Sequence, residues 1–324
     1  MRQKLSGIAF LIGVLWSSTL FAQPSKTPVV GFLNSASSEG YAGMAASFRQ
    51  GLKEAGFIEG ENVQIEYRWA NDDYSRLPDM AKDLVTRGAA VIFANSPSMP
   101  LAKAATSTIP IVFTSGDDPV RLGFVGSLNK PGGNMTGVAI MSNELAAKRL
   151  SLLCDLIPGT RKVAVLINTD FGPSGRFRAD VEAAAKTLGV ELTFHPTTSD
   201  REIEEAFATL SRSNPDALLV GPGPFLDSRR DQLVPLAEKA GLAAGYETRA
   251  SAQAGGLTSY GANVADAYRQ AGVYAGRILK GEKPGEMPVA LATKVEFVIN
   301  LKTAKVLNIQ INQQLLNAAD EIIE

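Results

Sequence analysis

The chain carries one strand–loop–helix pattern twice, and this repetition narrows its fold more than any other feature. Val29-Val30-Gly31-Phe32-Leu33-Asn34 is an apolar run that ends in Asn. A Ser/Gly loop and a helical stretch follow, closing at Ala55-Gly56-Phe57. Val163-Ala164-Val165-Leu166-Ile167-Asn168 is a second such run. It leads through a Gly/Pro/Ser loop to a helical stretch closing at Leu188-Gly189-Val190. The Asn-to-Gly spacing is 22 residues in the first copy and 21 in the second. Two such units imply two similar lobes, and two lobes enclose a cleft in which a ligand can sit.

Other short apolar runs, at residues 90–94, 110–113 and 217–220, are continuous rather than alternating. Strands buried on both faces of a parallel sheet read this way. Between them lie apolar stripes at helical spacing: Phe48, Leu52 and Ala55; Leu77, Ala81 and Leu84; Phe177, Val181 and Leu188; Ile203, Phe207 and Leu210; Leu233 and Ala237. Apolar positions three and four apart share one helix face. The alternation predicts an α/β class with parallel sheets, as two Rossmann-like lobes. A length of 324 residues suits two lobes rather than one core. Residues 62–69 read as an edge strand, and residues 136–140 as the last strand of the first half. Residues 142–156 read as a helix with Ser142 as its N-cap and Pro158-Gly159 as its stop. The first lobe crossing is expected near Met141, with a second around residues 246–256. The resulting division puts residues 28–140 and 257–283 in lobe 1, and residues 141–256 and 284–324 in lobe 2.

The N-terminus reads as an export signal. Arg2 and Lys4 precede an apolar stretch at residues 8–20, and Ala22 offers a cleavage site. The stretch is shorter than the ~20 residues of a membrane span. Cleavage would remove two positive charges from a net charge of −1. The only cysteine, Cys154, can form no internal disulfide and lies far from the cleavage site, so no lipid anchor is expected. These features predict a soluble monomer in a bacterial periplasm. No basic block points to nucleic acid.

Catalytic chemistry is sparse. His195 is the only histidine, it lies in a predicted strand at residues 191–196, and no nucleophile motif surrounds it. One His and one Cys cannot build a zinc site of those ligands. No phosphate-cradling G-x-x-x-x-G-K-[ST] loop occurs, and Gly221-Pro222-Gly223-Pro224 lacks the donors a pyrophosphate needs. No cofactor is expected. Candidate ligand contacts gather instead at the carboxyl ends of the strands, where open α/β sheets bind ligands. Asn34, Ser35, Ser96, Ser98 and Asn168 supply amides and hydroxyls, and Ser96 and Ser98 are the first choice for holding a carboxylate. Asp117, Asp118 and Asp227 are candidates to pair with an ammonium. Phe171, Phe225 and Tyr246 can wall an apolar part of the ligand. Each of these residues also has an ordinary reading as a cap or turn, Asp118-Pro119 above all.

Several phrases of the chain resemble a family of bacterial substrate-binding proteins of ABC importers, the group with tryptophan- and tyrosine-binding members. They are Phe48-Arg49-Gln50-Gly51-Leu52, Glu66-Tyr67-Arg68-Trp69-Ala70, Asp118-Pro119-Val120, Lys130-Pro131-Gly132-Gly133-Asn134, Ser259-Tyr260-Gly261 and Val298-Ile299-Asn300-Leu301-Lys302. The resemblance implies a type I periplasmic-binding fold with a three-strand hinge. It also implies a small ligand closed between the lobes, and delivery to a membrane permease with its ATPase. The family's ligand loops fall on Asn34–Ser35, Ser96–Ser98 and Asp117 in lobe 1, and on Asn168–Phe171, Asp227 and Tyr246 in lobe 2. Where the family often has a Gly-Thr-Pro type of loop, this chain has Asn95-Ser96-Pro97-Ser98, which adds a hydroxyl. The expected ligand is an amino acid or an aromatic or branched carboxylate. Two other roles fit the same features: a sensor that signals to a membrane receptor, and a periplasmic α/β enzyme using an acid pair.

Overall fold

The apolar runs become strands of two sheets. In chain order these are β1 (Val29–Asn34), β2 (Gln64–Trp69), β3 (Val91–Ala94), β4 (Ile111–Ser115), β5 (Met135–Ala139), β6 (Lys162–Ile167), β7 (Glu191–Pro196), β8 (Ala217–Val220), β9 (Ala244–Tyr246), β10 (Thr258–Ala262), β11 (Ala290–Leu291), β12 (Val295–Asn300) and β13 (Glu321–Ile323). The computed structural model describes residues 27–324, so the expected export signal at residues 1–22 lies outside the described residues. One sheet has the order β11-β5-β4-β3-β1-β2 and the other β13-β12-β10-β9-β8-β6-β7. All pairings in the first sheet are parallel. In the second, only β10 against β12 is antiparallel.

Helices cover both faces of each sheet: α1 (Ala42–Glu54), α2 (Leu77–Thr86), α3 (Met99–Ala105), α4 (Ala146–Leu156), α5 (Ser174–Leu188), α6 (Asp200–Ser213), α7 (Pro224–Ser228), α8 (Arg230–Lys239), α9 (Arg249–Gln253), α10 (Val264–Leu279), α11 (Leu301–Val306) and α12 (Gln313–Ala318). This double cover explains the continuous apolar runs. In β1, Val30 and Phe32 enter one core while Leu33 enters the other. In β6, Ala164 and Leu166 face one core while Val163, Val165 and Ile167 face the other. The strand expected at residues 62–69 is β2, which lies at the edge of its sheet.

Within the described residues the chain changes sheet three times: after β5, between β10 and α10, and between β11 and β12. Met141, at φ 55°, sits at the first passage. The later boundaries differ from expectation. Residues 257–262 do not return to lobe 1, because β10 pairs with β9 and β12 in the second sheet. Residues 284–291 do not belong to lobe 2, because β11 pairs with β5 and Met287 is buried in the first core. Neither segment carries a long apolar run, and only its sheet partners place it. Ser142 is not a helix cap either. It opens a 3₁₀ turn, Ser142–Leu145, that leads into α4 without a side-chain cap.

Helix α10 completes the first lobe by lying against α1. The contact runs through backbone: a Cβ on Gly51 would stand 1.8 Å from the Arg269 carbonyl oxygen, and one on Gly272 would stand 2.0 Å from that of Phe48. Ala271 and Ala275 continue the same small-residue face into the core. Gly51→Ala should therefore push the two helices apart and lower the unfolding free energy by about 3 kcal/mol or more, above what one extra methyl ordinarily costs in a core. Urea unfolding followed by circular dichroism measures this directly.

Candidate functional site

The repeated Asn does the same job in both lobes. Asn34 Oδ1 accepts a hydrogen bond from the Ala36 amide at 2.9 Å, and Asn168 Oδ1 accepts one from the Asp170 amide at 2.9 Å. Each amide thus holds an Asx turn at the carboxyl end of its strand. Asn34 also donates to the Tyr268 hydroxyl at 3.1 Å. Asn95 joins this network with four bonds: it accepts from the Ser35 amide (3.1 Å) and the Ser98 hydroxyl (2.7 Å), and donates to Asn34 Oδ1 (3.2 Å) and Ser35 Oγ (2.8 Å). Asn34, Ser35 and Ser98 therefore lie behind the cleft as a support. Their polar groups are occupied, and they do not line the cavity.

Between the sheets lies a small cavity of about 40 Å³, below the ~300–1,000 Å³ of small-molecule sites. Tyr41, Ser96, Thr114 and Tyr268 wall it from the first lobe, and Ser142, Phe171, Asp227 and Glu247 from the second. Three predicted residues, Ser96, Phe171 and Asp227, share this wall. Ser96 Oγ accepts from the Gly116 amide at 3.1 Å, which fixes the loop after β4 against the loop after β3. The Phe171 ring fills the space between the lobes. A Cβ on Gly116 would meet it at 3.4 Å, and one on Gly223 at 3.0 Å.

The second-lobe wall is acidic. Asp227 accepts from the Thr248 hydroxyl at 2.5 Å through Oδ1, whereas its buried Oδ2 has no hydrogen-bond partner among the described residues. Burial pushes its carboxyl above the ordinary range, and the charges of Arg230 and Glu247 act in opposite directions on it. Burial likewise raises the Tyr41 hydroxyl, with the Asp227 charge adding to the effect. Glu247 accepts from the Gly223 amide at 3.3 Å. Its charge acts on Arg149, a buried guanidinium that donates to the Tyr260 carbonyl at 2.9 Å and to the Ser142 carbonyl at 3.4 Å. Arg149 thereby ties together two segments next to lobe passages.

The other predicted residues lie elsewhere. Asp117 is turned toward Arg121 and Arg176 and is buried between them. Asp118 caps its own turn by accepting from the Val120 amide at 2.8 Å. Tyr246 and Phe225 belong to the core of the second lobe, and the Tyr246 hydroxyl is buried without a partner. Asn168 stays in its turn, against the half-buried Tyr74. His195 lies on β7, at the end of its sheet, where burial lowers its pKa. Among the described residues no group of His, Cys, Asp and Glu is arranged to hold a metal ion, and no helix is long and apolar enough to cross a membrane.

Sequence reasoning missed Tyr41, Glu247 and Tyr268 as cavity-lining residues. Tyr268 sits in a helix and reads as core. The buried amide network yields a direct test. Asn95→Asp removes both donors and sets a carboxylate against Asn34 Oδ1, so the urea unfolding free energy should fall by roughly 2 kcal/mol.

Comparison with known proteins identifies the family and the fold. A family model for ABC transporter substrate binding protein matches residues 30–323. The chain is 29% identical over 265 residues to a tyrosine-binding protein of Clostridioides difficile (strain R20291), a match that covers 81% of this chain and 76% of the relative. Among solved structures, an ABC domain from Streptococcus pneumonia in complex with L-Trp is 25% identical with a TM-score of 0.82, covering 92% of this chain and 100% of that one. A ligand-free, open substrate-binding protein from Clostridium difficile, also 25% identical, has a TM-score of 0.63 and covers 92% of this chain and 99% of that one. The two-sheet architecture is the type I periplasmic-binding fold. The chain belongs to the family of ABC transporter substrate-binding proteins.

Proposed function

We propose that the protein binds an amino acid with an aromatic side chain in the interlobe cavity, and that the lobes close on it for delivery to the permease and ATPase of an ABC importer. The observation that carries this reading is the buried Oδ2 of Asp227, a residue of the cavity wall, which has no hydrogen-bond partner among the described residues. A buried carboxylate oxygen without a donor is costly, and a ligand ammonium would satisfy it. The opposite wall offers the hydroxyls of Ser96 and Thr114 to a carboxylate, and Ser142 adds one from the second lobe. Tyr41, Phe171 and Tyr268 provide ring surface for an apolar side chain. The tyrosine-binding relative and the L-Trp complex support this ligand class.

Closure is supported by the same comparison. At equal identity and equal coverage of this chain, the structure superposes better on the L-Trp complex than on the open, ligand-free protein. Ligand favours the closed state to the extent that it binds that state more tightly. The export signal read at residues 1–22 supports a periplasmic location.

Titration calorimetry with L-tyrosine and L-tryptophan tests the reading. Asp227→Asn should weaken binding roughly 10-fold to 100-fold, the worth of a hydrogen bond to a charged group. The pH dependence has a definite sign. Burial raises the free carboxyl, and an ammonium on Oδ2 favours its ionised form, so binding releases a proton. Affinity should rise with pH up to the raised pKa of the free protein and level off above it. The Asn variant should lack this slope. Unchanged affinity in Asp227→Asn with the slope retained would overturn the assignment.

A further inference from the structure

Two acid–arginine contacts cross the cleft outside the cavity. At one end Asp72 Oδ2 accepts from Arg229 Nη1 at 2.6 Å and from the Ser228 hydroxyl at 3.3 Å. Beside it the Arg230 guanidinium donates to the Gly40 carbonyl at 3.3 Å. At the other end Asp117 Oδ1 lies 3.6 Å from Arg176. Both acids belong to the first lobe and both arginines to the second. The acid side chains are only 5% and 3% exposed, while their arginine partners are 23% and 32% exposed, so the pairs are shielded on the acid side.

The local chain is shaped for the first contact. Asn71 and Asp72 have φ of 54° and 63° in succession, and their amides bond the Ala36 and Ser35 carbonyls at 3.2 and 2.7 Å. Left-handed backbone at two consecutive non-glycine residues carries strain. Here it turns Asp72 out of the loop toward the other lobe.

The arginines do not depend on these contacts alone. Arg229 also binds Asp200 in its own lobe at 2.5 Å, and Arg176 binds Glu144 and Asp180 at 2.5 and 3.4 Å. Asp117 keeps Arg121. When the lobes part, neither cation is left bare, and only Asp72 gives up its charged partner. We infer that Asp72–Arg229 and Asp117–Arg176 form a pair of reversible clasps that hold the lobes together independently of ligand and slow ligand release. These are positioning residues: they act through the closed arrangement and touch no ligand. The effect on release rests on the proposed ligand site, whereas the effect on lobe separation does not.

Spin labels at Asp79→Cys and Arg201→Cys, on exposed sites of opposite lobes, with Cys154→Ser, read lobe separation in the ligand-free chain by pulsed electron resonance. Asp72→Asn removes the charge while keeping a residue that tolerates left-handed backbone. That variant and Arg229→Ala should shift the distances outward, and Arg229→Lys should restore part of the short population. Thermal unfolding should stay within a few degrees of the parent, which separates a clasp from a folding role. With L-tryptophan or L-tyrosine bound, dissociation should quicken roughly 10-fold with little change in association. Identical distance distributions in parent and variants would overturn the inference. If neither amino acid binds while the distances shift, the clasps stand and the ligand assignment fails.

Discussion

The first lobe depends on a backbone contact between two helices far apart in the chain. Gly51 of α1 and Gly272 of α10 let the helices meet where any side chain would collide with a carbonyl. Helix α10 follows β10, which lies in the other sheet, so this contact completes a lobe built from separate stretches of chain. It also sets the floor of the cavity. Tyr268 rides on α10, packs on Phe93 at 5.0 Å between ring centres, and takes a hydrogen bond from Asn34 at the end of β1. Loss of the close approach would therefore reach the cavity wall as well as the core.

Charge is distributed to match. Within the cavity the second lobe brings Asp227 and Glu247, and the first brings hydroxyls and phenols. Outside it the signs reverse, with acids on the first lobe and arginines on the second. Glu247 accepts from the Gly223 amide and its charge acts on buried Arg149, while Asp227 keeps a buried oxygen without a partner among the described residues. In a low-dielectric cavity such a group selects strongly for a donor or cation.

Much of the fold was legible because burial on both sheet faces writes itself as unbroken apolar runs. Val30, Phe32 and Leu33 show it in one strand. The lobe passages were less legible. Thr258-Ser259-Tyr260-Gly261-Ala262 has no apolar run to assign it to a lobe, and only its hydrogen bonds put it in the second sheet. Two-residue β11 leaves no pattern at all. Strand-end position was a sound guide to Ser96, Phe171 and Asp227 as neighbours of one cavity. It could not separate wall residues from turn residues. Asn34 and Asn168 occupy matching places in the two repeats, and the side-chain oxygen of each holds a turn. Tyr268 was hidden because a tyrosine within a helical stripe looks like core until the strand it abuts is known.

The central claim is that the cavity recognises the ammonium of an amino acid through Asp227. Calorimetric titration of the parent protein with L-tryptophan and with indole-3-propionate, which keeps the ring and carboxylate but lacks the amine, tests it most directly. The account predicts that L-tryptophan binds and that the deaminated acid loses most of that affinity. Equal binding of the two compounds would contradict it.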